Sequence, residues 1–196
     1  MTDVTSAIKG KWGNLPAGIR FHSGHTWARL VSDNMVFVGA TEFAIKFTGS
    51  LTGLSLPRSS EIVREGEPTW TFLSRNGRTL GQASAIGGQV LVANSDLLED
   101  PSELRRSPHQ GGWLLCLRSP DIARDLGKLG PREADRAWLD RTLDTMEAVW
   151  GSPLRVPFQD GTWRPEFGDE FSDEEWGTLR KKLFPAYPLR TLPRVG

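Results

Sequence analysis

The chain has 196 residues, 38% hydrophobic and 24% charged, a composition that excludes wholesale disorder. Lysine plus arginine and aspartate plus glutamate both number 24, so the formal net charge is zero. That balance gives no support to generalised nucleic-acid binding or an anionic-membrane anchor. The single cysteine, Cys116, rules out an intramolecular disulfide and a cysteine-cluster metal site, and fits a reducing compartment.

Residues 1–18 are rich in glycine, proline and small polar residues and read as an irregular lead-in without the apolar core of a signal peptide. No apolar run approaches the ~20 residues needed to cross a bilayer. The expectation is a soluble, cytoplasmic protein. Eight tryptophans suggest large core anchors or a contact surface.

Apolar runs at 26–31 and 35–39 flank Ser32-Asp33-Asn34, which predicts a hairpin with Asp-Asn in the turn. The next stretch, 41–47, reads two ways. Alternation of Phe43, Ile45 and Phe47 permits a strand, and Thr41 as N-cap permits a short helix. Leu51, Leu54 and Leu56 predict a strand ending at Pro57, and Ile62-Val63 leads to a turn at Gly66-Glu67-Pro68.

A second hairpin follows over 69–81, with Trp70, Phe72 and Leu73 before the tip and Leu80 and Ala83 after it. Its tip is Arg75-Asn76-Gly77-Arg78. Asn-Gly predicts a two-residue type I′ turn with φ positive at both central positions. Turns at 85–88, a β-run at 89–93 and a near-continuous apolar strand at 113–117 complete a β-rich half, with a loop or one-turn helix at 96–104 between them. Many short strands at close spacing predict a sandwich or barrel.

After Ser119-Pro120 the character changes. Gly130-Pro131 opens a predicted helix whose stripe is Ala134, Trp138, Leu139, Leu143, Met146, Val149 and Trp150, stopped by Gly151. Residues 153–168 read as extended or looped. Ser172-Asp173-Glu174-Glu175 is a capping box, with Phe171 and Trp176 placed as a hydrophobic staple and Pro185 as the stop. The tail 187–196 is expected to be mobile unless a partner orders it.

Residues 16–119 resemble the H protein of the glycine cleavage system, a small β-rich lipoyl carrier. The resemblance is carried by Pro16 and Phe21-x-x-x-His25-x-Trp27, then Val38-Gly39-Ala40-Thr41-x-Phe43-Ala44, Gly49-x-Leu51 and Leu54-x-Leu56-Pro57. It continues through Val63-x-x-Gly66-Glu67, Gly88-x-Val90-x-x-x-Asn94, Leu97, Asp100-Pro101, Leu104, Ser107-Pro108 and Gly112-Trp113-Leu114. In that family the second hairpin carries a lysine that bears the lipoyl arm. Counting forward from Gly66-Glu67 puts Asn76 at that place, and counting back from Gly88 puts Gly77 there. Neither side chain can form an amide with lipoate. Arginine is no substitute, because its guanidinium is delocalised and permanently protonated. The lysines are Lys9, Lys11, Lys46, Lys128, Lys181 and Lys182, none near the tip in sequence.

Other sites carry less. His22 and His25, with Asp33 and Glu42 downstream, lack a clear third metal ligand, so a structural His25 near Trp27 and an exposed His22 are expected. Cys116 with His109 is a conceivable nucleophile pair, but a mid-strand cysteine between leucines reads as buried and inert. The glycines at 87–88 and 111–112 match no phosphate loop.

The expected fold class is mainly β, an H-protein-like β-sandwich or hybrid barrel over residues 1–120, with a C-terminal α-helical extension over 121–196. The expected role is a non-catalytic, non-lipoylated accessory or scaffold subunit. It would use no cofactor and no metal, would neither bind nucleic acid nor insert in a membrane, and would bind protein partners in a larger, redox or metabolic, complex. The candidate contact residues are Arg75, Asn76, Gly77, Arg78, Trp138, Trp150 and Trp176, although the tryptophan stripes also read as core between the extension and the β domain. The alternative is a carrier or small-molecule-binding protein that uses a groove without covalent lipoate.

Overall fold

The computed structural model describes residues 18–130, 135–150, 158–159 and 162–184. The lead-in, the helix opening at Pro131, the stops at Gly151 and Pro185 and the tail lie outside those residues.

Strands β1 (Ile19–His22), β2 (Thr26–Ser32) and β3 (Met35–Ala40) form an antiparallel meander. Neither Asp33 nor Asn34 takes positive φ. The β2–β3 hairpin instead absorbs its twist through a register shift between Leu30 and Ser32.

The ambiguous stretch is helix α1 (Glu42–Thr48). The Thr41 hydroxyl caps it by accepting from the Ala44 amide at 3.3 Å. Phe43, Ala44, Ile45, Phe47 and Thr48 are all buried, so the helix has no polar stripe wide enough to show a helical period. One side faces the β domain, and rings of the C-terminal segment cover the other.

Strands β4 (Leu51–Ser55), β5 (Ile62–Val63), β6 (Pro68–Ser74), β7 (Thr79–Ala83) and β8 (Gly88–Ala93) follow. Then come short helices α2 (Asp96–Glu99) and α3 (Ser102–Arg106), and strand β9 (Leu115–Arg118). β9 inserts between β3 and β8, giving a six-stranded sheet in the order β1-β2-β3-β9-β8-β5. β4, β6 and β7 form a three-stranded sheet. Val36, Val38, Val90, Leu115 and Leu117 of the large sheet share one buried core with Trp70, Phe72 and Leu80 of the small one. This is the expected β-sandwich, with helices added.

The chain continues into α4 (Ile122–Gly127), at the point where the sequence shows only a change of character. Its start is a side-chain cap, Asp121 accepting from the Arg124 amide at 3.3 Å. Helix α5 (Asp135–Trp150), a short ribbon of β10 (Phe158–Gln159) and β11 (Thr162–Trp163), a 3₁₀ turn (Phe167–Glu170) and α6 (Asp173–Leu183) complete the fold. The expected capping box forms, with the Ser172 hydroxyl accepting from the Glu175 amide and the Glu175 carboxylate from the Ser172 amide.

The extension packs on its own β domain. Met146, Trp150, Trp163, Phe167, Phe171, Trp176, Leu179 and Phe184 belong to the same buried cluster as the sandwich. The Trp176 indole N–H donates to the Phe47 carbonyl at 3.1 Å, and the Lys46 ammonium to the Trp163 carbonyl at 2.7 Å. The two backbones cross closely at glycine. A Cβ on Gly168 would lie 1.9 Å from the Phe47 carbonyl oxygen.

Candidate functional site

The tip of the β6–β7 hairpin is the site the sequence singles out, and its geometry differs from the predicted turn. Leu73 pairs with Thr79, and the Ser74 amide donates to the Arg78 carbonyl at 2.9 Å. The Gly77 amide closes a β-turn onto the Ser74 carbonyl at 3.0 Å. Gly77 has φ of +80°, whereas Asn76 is not in the positive-φ region. The connection is therefore the longer three-residue form, a β-turn handing over to one left-handed glycine, and not the two-residue type I′ turn. The Asn76 side chain folds back to the buried Ser74 hydroxyl and accepts from the Arg78 amide at 3.4 Å, which occupies its carboxamide oxygen locally. Arg75, Asn76 and Gly77 are exposed.

Arg78 is not displayed. Its side chain is 12% exposed and reaches into the extension. Nε and Nη2 donate to Asp173 Oδ1 at 3.0 and 2.7 Å, Nη1 to the Gly168 carbonyl at 2.9 Å, and Nη2 to the Phe171 carbonyl at 2.7 Å. The guanidinium also lies 5.7 Å from the centroid of the Trp176 ring. One planar fork thus ties the hairpin to the first turn of α6 and to the carbonyls before it. Beside it, Asp169 Oδ2 accepts from the Ser50 amide at 2.9 Å and the Ser50 hydroxyl at 2.7 Å, and Glu166 pairs with Arg105.

Lysine is missing from residues 47–127 altogether. Lys46 is held by Glu42 at 2.8 Å and by the Trp163 carbonyl, and Lys128 pairs with Glu65 at 2.5 Å. Lys181 and Lys182 sit in the last turn of α6.

A family model described as glycine cleavage H-protein matches residues 19–139, more than half of the chain. The chain belongs to the glycine cleavage H-protein family. The glycine cleavage system H protein of Streptomyces avermitilis is 32% identical over 111 residues, which are 57% of this chain and 88% of that protein. That of Methylococcus capsulatus is 33% identical over 109 residues, 56% of this chain and 84% of its own. The fold is likewise similar to the crystal structure of a glycine cleavage system H protein from Mycobacterium marinum. The TM-score is 0.50 at 24% identity, over 54% of this chain and 87% of that one. The family is one of carrier proteins and not of enzymes.

Within this H-protein fold the tryptophans named from the sequence take different places. Trp150 and Trp176 are buried, at 8% and 6% exposure, against Phe171 and Phe47. Their indoles are interior anchors in this chain, the second of the two readings the sequence allowed. Trp138 is half-buried and packs edge-on to His25 and Phe43. Phe171 and Trp176 both pack on Phe47, so the staple runs through a third ring.

His25 is structural. It takes φ of +61°, is 1% exposed, and lies with ring centroids 4.4 Å from Phe43, 4.5 Å from Trp138 and 4.6 Å from Phe184. Burial pushes its pKa well below the usual histidine value, His22 adds to that, and a bond to the Leu183 backbone opposes it. His22 is half-buried, not exposed as expected. Burial lowers its pKa and the Glu65 charge raises it. Cys116 is buried, with its thiol pushed up by desolvation, and His109 packs on Phe21 and Trp27 instead. Among the described residues no group of three or more His, Cys, Asp or Glu is arranged to hold a metal. No helix among them is long and apolar enough to cross a membrane.

Sequence reasoning missed the acceptors of Arg78. Asp173 reads as a first-turn helix acid and nothing more. Its distance of 95 residues from Arg78 leaves no local signal.

Proposed function

We propose that this chain is a non-lipoylated member of the H-protein family that acts as an accessory or scaffold subunit of a larger, redox or metabolic, complex in the cytoplasm. The observation that carries this is the hairpin tip. Asn76 or Gly77 stands where the family's lipoyl-bearing lysine is expected, and Arg78 beside it is bound down to the chain's own extension. A swinging arm needs an acylatable amine on a freely presented turn, and the exposed tip residues Arg75, Asn76 and Gly77 offer none. The extension also covers α1, so Phe43 and Phe47 face Trp138, Trp163, Trp176 and Phe184 of the same chain, not an open groove. The exposed turn and the half-buried edge of Trp138 are the surfaces through which protein partners would dock, while Trp150 and Trp176 fix the geometry behind them.

Intact-protein and peptide mass spectrometry of the chain purified from its own host tests the modification claim. The expected result is an unmodified mass on all six lysines. A lipoyl increment on any of them sinks the proposal.

A further inference from the structure

Away from the hairpin tip a cavity of about 270 Å³ opens between the β1–β2 turn, Glu65 and the extension. The segment after α4 and the face of α5 supply Lys128, Leu129, Gly130, Trp138 and Arg141, and β1 with the turn that follows it supplies Phe21, His22 and Ser23. The walls have two characters. Phe21 and Leu129 are buried, and the half-buried Trp138 is steadied by its indole N–H, which donates to the Ser23 carbonyl at 3.3 Å. Those three make an apolar slot with a fixed ring on one side.

The polar groups are nearly all donors. The Gly24 amide donates to His22 Nδ1 at 3.0 Å, so a neutral His22 carries its proton on Nε2. Lys128 and Glu65 neutralise each other. Arg141 is exposed and has no acidic partner within ion-pair distance among the described residues, so its guanidinium is available at the rim. An apolar slot beside one spare guanidinium and one ring N–H fits a single planar anion attached to a small apolar body. The volume lies just below the usual range for ligand pockets, which restricts the occupant to a small molecule. Glu65 at the mouth disfavours a dianion.

We propose that this cavity binds a small organic monocarboxylate, with the carboxylate on Arg141 and the His22 N–H and the apolar body against Trp138, Phe21 and Leu129. The proposal does not rest on the state of the hairpin, and it holds whether or not the tip is modified.

Nitrogen-15 NMR titration of the full chain tests it, with benzoate, benzamide and inorganic phosphate as probes in a carboxylate-free buffer. Benzoate is expected to saturate one site at an affinity on the order of 1 mM, moving the Trp138 indole N–H and the Gly24 amide. Benzamide and phosphate are expected to bind at least about fivefold more weakly, as is benzoate to Arg141→Gln, whose melting should match wild type because the side chain is exposed. The proposal is overturned if benzoate fails to saturate by about 20 mM, since that lies far above the expected affinity. It is equally overturned if benzamide or phosphate binds as well as benzoate, or if Arg141→Gln binds benzoate like wild type.

Discussion

Replacing Arg78 by alanine should separate the hairpin tip from the extension. The cost follows from where its four hydrogen bonds go. The two to Asp173 meet a carboxylate whose side chain is 93% exposed, so that ion pair contributes no more than about 1 kcal/mol. The bonds to the Gly168 and Phe171 carbonyls differ. Both residues are buried, and a charged donor to such an acceptor contributes roughly 1.5–3 kcal/mol. The two do not add fully, because losing one frees the segment that carries the other. Arg78→Ala should therefore lower stability by about 3 kcal/mol, and Asp173→Asn by less than about 1 kcal/mol. Arg78→Lys should behave like alanine to within about 1 kcal/mol, because an ammonium cannot span Asp173, Gly168 and Phe171 from one plane. Urea unfolding read by far-UV circular dichroism gives all three, and hydrogen exchange should show faster exchange at the Gly77 amide and in the first turn of α6. If Arg78→Ala costs less than Asp173→Asn, the fork to the backbone carbonyls is not what holds the tip, and the reasoning fails.

The close crossing at Gly168 leaves no room for a side chain, so Gly168→Ala should cost about 3 kcal/mol or more, or prevent soluble expression, as thermal melting would show. Gly177→Ala runs the other way. It lies in α6 with nothing within 4 Å of where the added methyl would stand, and should raise stability by about 0.5–1 kcal/mol in the same assay. Ending the chain at residue 120 would bare Phe43 and Phe47, and the fragment should aggregate or bind a hydrophobic dye where the full chain stays monodisperse by light scattering. Burial holds His109 at about 4, so it folds uncharged. Its contribution is present above the unfolded value near 6.5 and is lost as pH falls toward 4, about 3 kcal/mol in all. Denaturation midpoints from pH 7 to 4 should fall less steeply in His109→Phe, with His25 adding to the loss in both proteins.

Most strands of the β-rich half were legible because they are short, alternating or apolar, and bounded by turn residues, whereas β1, with only four residues, and the two-residue β10 and β11 are too short to carry such a pattern. The capping box at Ser172 was legible because it is a local code. Helix α1 was not, since rings from residues beyond 137 cover the face that would otherwise have been polar. Asn76-Gly77 signalled a hairpin correctly but its turn type wrongly. The dipeptide favours positive φ at both positions, yet Ser74 and the Arg78 amide capture the Asn76 side chain and leave only Gly77 left-handed. Helix α4 could have been found, because Asp121 followed by apolar Ile122 and Leu126 is a cap and a stripe.

The candidate site was half legible for a physical reason. Which residues stand on the turn is a local fact, and the absence of lysine there can be counted. What restrains the turn is not local. Arg78 meets its acceptors 90 to 95 residues further on, across a junction with no counterpart in a carrier built from the family domain alone. The same extension that shields α1 supplies those acceptors, so covering the aromatic face and tethering the tip are one structural event. A variant that placed a lysine at position 76 would therefore add an amine to the tip while the Arg78 tether still held the turn. Attachment chemistry and arm mobility have to be tested separately in this chain, the first by mass and the second by exchange at Gly77 in the Arg78 variants.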